Sequence, residues 1–138
     1  MKIYILAIYV LIIFVFSFCK KDHDHEDHNH DTEKKISMNW AQPAEGSRVK
    51  FGDTLRIEGI ATHSSEMHGY EVAIYKASDT STVLYPASEH THGTELKISK
   101  KWVCGLSDST KLLVKLTVAK SHSGTDNEVF RRTVWAVK

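Results

Sequence analysis

Residues 111–120 read KLLVKLTVAK. Leu112, Val114, Leu116 and Val118 occupy every second position, and in an extended chain alternate side chains share one face. On a helix the same four residues would scatter around the circumference and define no apolar stripe. The stretch therefore predicts a strand with one face in a core.

The pattern repeats outward in both directions. YEVAIY (70–75) sets Tyr70, Val72 and Ile74 against Glu71, Ala73 and Tyr75, and TLRIEGIA (54–61) puts Leu55 and Ile57 on one side. EVFRRTVWAV (128–137) alternates Phe130, Arg132 and Val134 with Val129, Arg131, Thr133 and Trp135. Turn residues cluster between the runs, at 43–46, 52–53, 78–81, 86–93, 105–109 and 123–127. No ten-residue stretch carries a helical period. Seven strands are expected: A near 36–40 (resuming at 48–51), B 54–62, C 69–77, D 82–86, E 94–102, F 111–119 and G 128–137. Short β-rich strands joined by polar turns predict an all-β, seven-stranded antiparallel β-sandwich.

This order, with PAEGSRVKFGDTLRIEG (43–59) at the A–B junction, resembles the immunoglobulin-like or fibronectin-type domains appended to bacterial envelope lipoproteins. Antibody hallmarks are missing: no cysteine pair bridges B and F, strand C lacks Trp, and strand F lacks a corner Tyr. The resemblance implies an Ig-like architecture outside the antibody-like branch.

The N-terminus is of another kind. MKIYILAIYVLIIFVFSFCKKD (1–22) holds an unbroken apolar run over 3–18. As a helix that run would span ~24 Å, short of the ~30 Å hydrocarbon core. It reads as a signal peptide or anchor over 1–18. Ordinary cleavage after Ser17 is one route, and cleavage before Cys19 with lipidation of its thiol is the other. FCKKDHD (18–24) resembles the processing region of Bacteroidota-type lipoproteins, although Phe18 stands where such signals prefer a small residue. The resemblance implies lipidation at Cys19, a lipid bilayer as partner through the N-terminus, and a periplasmic or surface-exposed place in the cell envelope.

Residues 19–35 are expected to form a linker, since KKDHDHEDHNHDTEKK (20–35) contains no aliphatic or aromatic side chain. Such a segment buries too little to offset ~1–2 kcal/mol of ordering per residue, so disorder is expected. It nevertheless holds His23, His25, His28 and His30 among six carboxylates. Imidazole and carboxylate together suit Zn²⁺, Cu²⁺ or Ni²⁺, here in a loose and exchangeable way. The other reading is a plain hydrophilic spacer.

The body (36–138) carries five of the nine histidines: His63, His68, His90, His92 and His122. With strands alternating up and down, the B–C, D–E and F–G loops share one end of the sandwich, and all five fall in or beside those loops. They form a candidate metal cluster, with Glu66, Glu89 and Asp126 as carboxylate options and Met67 assigned to packing. The other reading is five separate histidines on polar loops.

Net charge is +1, and the lysines form no basic face interleaved with aromatics, so no nucleic-acid partner is expected. There is no phosphate-cradling glycine loop and no G-x-S-x-G elbow. Cys104 reads as a buried thiol. A non-enzymatic, metal-binding envelope protein is expected. The alternative is an adhesion or assembly module binding a partner protein or glycan, with Tyr70, Tyr75 and Tyr85 as a candidate aromatic patch.

Overall fold

A computed structural model describes residues 34–138. The readings placed on 1–33, including Cys19, His23, His25, His28 and His30, lie outside the described residues.

Eight strands form, and no helix among the described residues: β1 (Ser37–Gln42), β2 (Ser47–Lys50), β3 (Thr54–Met67), β4 (Tyr70–Lys76), β5 (Asp79–Glu89), β6 (Gly93–Val103), β7 (Thr110–Ala119) and β8 (Asn127–Val137). They make two sheets, ordered β1-β3-β6 and β2-β8-β7-β4-β5. Expected strands A, B and E share the smaller sheet, while C, F and G share the larger, which is the partition of an immunoglobulin-like sandwich.

The count is eight rather than seven because strand A is two strands. The chain crosses between sheets at Pro43 to Gly46, so β1 pairs antiparallel with β3 while β2 joins β8. That second pairing is parallel (Ser47↔Val134 to Lys50↔Val137), so the sandwich is not wholly antiparallel. Strand D, expected at 82–86, is longer in the structure, as β5, and it hydrogen-bonds to β4 at the edge of the larger sheet.

The opening stretch behaves as its period demands. β7 is flanked by β4 and β8, and Leu112, Val114, Leu116 and Val118 are fully buried. From the facing sheet, Leu55, Ile57, Ala61, Leu96 and Ile98 complete the same core. Burying an aliphatic side chain of this size contributes about 1.5–3 kcal/mol, and the core residues bind the two sheets together. Trp40 and Trp102 pack on this core, whereas Trp135 is exposed. Cys104 is a buried free thiol, as its apolar context predicts.

At one open edge of the sandwich the sheets are joined by polar groups. Lys100 of β6 reaches Glu89 of β5 at 2.7 Å, and the Tyr70 hydroxyl donates to the same carboxylate oxygen at 2.8 Å. Tyr70 is buried, so it forms no exposed patch with Tyr75 and Tyr85. Its inward position on β4 follows from the alternation that also buries Val72 and Ile74.

Candidate metal centre

The β3–β4, β5–β6 and β7–β8 connections meet at one end of the sandwich. They bring together His68, then His90 and His92, then His122.

Local backbone chemistry sets each one. Gly69 sits at φ +119°, and an added Cβ would strike the Glu89 carbonyl and lie 3.2 Å from the His90 Cα. Only glycine lets the β3–β4 turn lie this close to the end of β5. The His68 N–H donates to the Ala119 carbonyl at 2.8 Å, and the Ala119 N–H donates back to Gly69 at 3.0 Å. The His122 loop is closed by Lys120 N–H donating to Asp126 at 2.9 Å and Asn127 Nδ2 donating to Gly124 at 2.8 Å.

The rings crowd one another. Centroids are 4.1 Å apart for His68 and His122, 4.9 Å for His68 and His92, and 5.1 Å for His92 and His122. His90 lies 4.8 Å from His92 and 5.8 Å from His122. One ligand atom from each of His68, His92 and His122 falls within 4.8 Å of the other two. Donors on one tetrahedral zinc, at ~2.05 Å each, stand ~3.3 Å apart, so the set would have to close by up to ~1.5 Å to hold one ion.

His92 is the hub. Its Nδ1 lies 3.1 Å from His68 Nδ1 and 3.1 Å from Glu66 Oε1, while its Nε2 lies 3.1 Å from His90 Nε2. Both ring nitrogens of His92 are thus engaged, Nδ1 by His68 and Glu66 together and Nε2 by His90. Desolvation holds the His68 imidazole below its ordinary range, and repulsion from His122 and His92 acts in the same direction against Glu66. A neutral imidazole is the ligand form, so proton competition at His68 is reduced.

Three sequence candidates, His63, Glu89 and Asp126, are engaged elsewhere. His63 lies within β3, whose pairing with β6 jumps from Thr62↔Glu95 to Met67↔Gly93. His63, Ser64, Ser65 and Glu66 thus oppose Thr94 alone, and this bulge turns His63 away. Its Nε2 contacts the Lys34 carbonyl and its Nδ1 meets Ser65 Oγ at 2.9 Å. Glu89 is engaged by Lys100 and Tyr70, which hold its carboxyl below the usual range through the hydrogen bonds they donate. Asp126 lies 3.6 Å from Lys120. Of the three carboxylate options, Glu66 is the one in contact with a clustered histidine. Met67 is fully buried, and Cys104 follows the far end of β6, where its backbone N–H donates to the Asp53 carbonyl at 2.9 Å. A cleft of about 250 Å³ adjoins the cluster, lined by His68, His90, Tyr70, Glu89 and Asn127 among others.

The Tyr70–Glu89–Lys100 network was not visible in the sequence, because its members lie 19 and 11 residues apart on separate strands. The bulge that presents Glu66 left one trace, the polar run THSSE at 62–66 inside a strand pattern.

No protein-family model matches the chain, and no curated protein matches it. Among solved structures, the ASH / PapD-like domain of human CEP192 (PapD-like domain 7) aligns with a TM-score of 0.38 at 11% identity, covering 86% of this chain and 94% of that one.

Proposed function

We propose that the protein is a non-catalytic, membrane-anchored envelope lipoprotein whose β-sandwich binds a divalent transition metal ion, Zn²⁺, Cu²⁺ or Ni²⁺, at its histidine end. The observation that carries this reading is the convergence of His68, His92 and His122 from three separate loops. Unrelated surface imidazoles have no reason to crowd, and charging several of them so close together would be unfavourable. A shared cation supplies the reason. Glu66 completes a three-nitrogen, one-oxygen shell of the kind borderline divalent ions accept. Met67 and Cys104 are buried members of the hydrophobic core, and no soft sulfur ligand is counted in the shell, which disfavours Cu⁺.

The tail histidines would act as a looser capture arm. Residues 34–36 enter the sandwich at the histidine end: Ser37 pairs with Thr62, and the Ile36 N–H donates to Glu128 at 2.8 Å. Calorimetric titration of the full chain, beside a variant with His23, His25, His28 and His30 changed to Ala, tests the reading. Retained binding in the variant, far tighter than roughly millimolar, is expected, and its absence would sink the proposal.

A second reading draws on the outer face of the larger sheet. Tyr75 stands in register with Val83 and Leu113, and Trp135 (42%), Val83 (44%) and Val129 (37%) are exposed there. Such a face suits an adhesion or assembly module contacting a partner protein or glycan. On that reading, partner capture is indifferent to chelator and lost in Trp135→Ala.

A further inference from the structure

His90 stands apart from the three-histidine set although it belongs to the same cluster. It approaches His92 on Nε2, while His68 and Glu66 approach the same ring on Nδ1. The two nitrogens of an imidazole direct their lone pairs away from each other, so one ion cannot take both. The two nitrogen–nitrogen pairs, each at 3.1 Å, both have the spacing of donors sharing an ion.

We infer that the cluster holds two ions of the same borderline divalent class, bridged by His92. This deepens the metal reading above and rests on it. The first ion sits among His68, His92 Nδ1, His122 and Glu66. The second sits between His92 Nε2 and His90 Nε2, and water on the cleft side fills its remaining positions, since His90 lines that cleft. Bridging converts neutral His92 into imidazolate: both ring nitrogens bind metal, and the single N–H proton passes to solvent. The negative charge of the imidazolate and of Glu66 offsets part of the repulsion between the ions, and the exposure of His90 and His92 leaves solvent to screen the rest. The second ion has fewer protein ligands and should bind about tenfold or more weakly than the first.

The test uses the full chain with its four tail histidines changed to Ala, titrated with Cu²⁺ and followed by native mass spectrometry and electron paramagnetic resonance. One equivalent should give a mononuclear signal. A second equivalent should bind while the spin count falls, because an imidazolate bridge couples two Cu²⁺ spins antiferromagnetically. His90→Ala should stop at one equivalent with its signal intact. Two bound ions with additive spins would overturn the bridge. A single bound ion would overturn the second site and leave the first standing. No bound ion would overturn the metal reading itself.

Discussion

His68 Nδ1 and His92 Nδ1 lie 3.1 Å apart, although 24 residues and two strands separate them in the chain. The contact exists because the β3–β4 turn and the β5–β6 connection lie side by side at one end of the sandwich. An ion held there would tie those two loops to the β7–β8 loop.

That cross-link predicts thermal stabilisation. An ion that binds the folded state at a hundred times its dissociation constant should raise Tm by roughly 10–20 °C for a domain of this size. Zn²⁺ should produce the shift in the full chain, and chelator should reverse it. His122→Ala should abolish it. Removing the four tail histidines should leave it in place, since the proposed ion is held by His68, His92 and His122. Differential scanning calorimetry separates these outcomes.

Gly69 is the backbone condition for the cluster. Gly69→Ala forces a side chain into a left-handed conformation and against the Glu89 carbonyl. A loss of about 2 kcal/mol or more is expected in urea unfolding, together with weaker metal binding as His68 and His90 move apart. Gly105→Ala, where an added Cβ meets nothing within 4 Å, is the control.

Acid should destabilise the metal-free fold in two steps. The folded-state pKa of His68 is lowered from its ordinary 6.5, so the fold prefers the neutral ring. The associated stability is complete above pH 6.5 and is lost as pH falls through the lower folded value. Glu89 follows the same sign from 4.5 downward, as protonation removes its bonds to Lys100 and Tyr70. Unfolding midpoints measured from pH 7.5 to 3 should decline first below about pH 6.5 and again below about pH 4.5. His68→Gln should remove much of the first decline, and Glu89→Gln part of the second, because Glu45 and Asp79 are shifted in the same direction.

The two faces of β7 should respond unequally. Leu116 is fully buried, and Leu116→Ala should lose about 3 kcal/mol by transfer and cavity effects. Leu113 points to the outer face in register with Tyr75 and Thr133 and keeps part of its surface in water. Leu113→Ala should lose less than about 1.5 kcal/mol. Equal losses would mean that the outer face is covered.

Much of this architecture was legible in the chain because strand alternation is local. Leu112, Val114, Leu116 and Val118 need only their own spacing to declare a buried face, and turn residues mark most strand ends, although β5 (Asp79–Glu89) runs through the turn residues at 79–81 and 86–89. Strand partners are a different matter. Nothing in SRVK (47–50) says that it pairs parallel with β8 rather than continuing β1, because that choice depends on which edge lies open after the crossing at Pro43 to Gly46.

The candidate site divides the same way. Residue chemistry together with an up-and-down strand order was enough to expect the body histidines at one end, and four of the five, His68, His90, His92 and His122, do cluster there. Which of them touch was decided by the tertiary structure. The bulge opposite Thr94 turns His63 toward Lys34 and presents Glu66 to His92, while Gly69 draws His68 and His90 together. Ring contacts depend on ångström-scale loop packing between strands distant in sequence, and no period or spacing in a single chain encodes those distances.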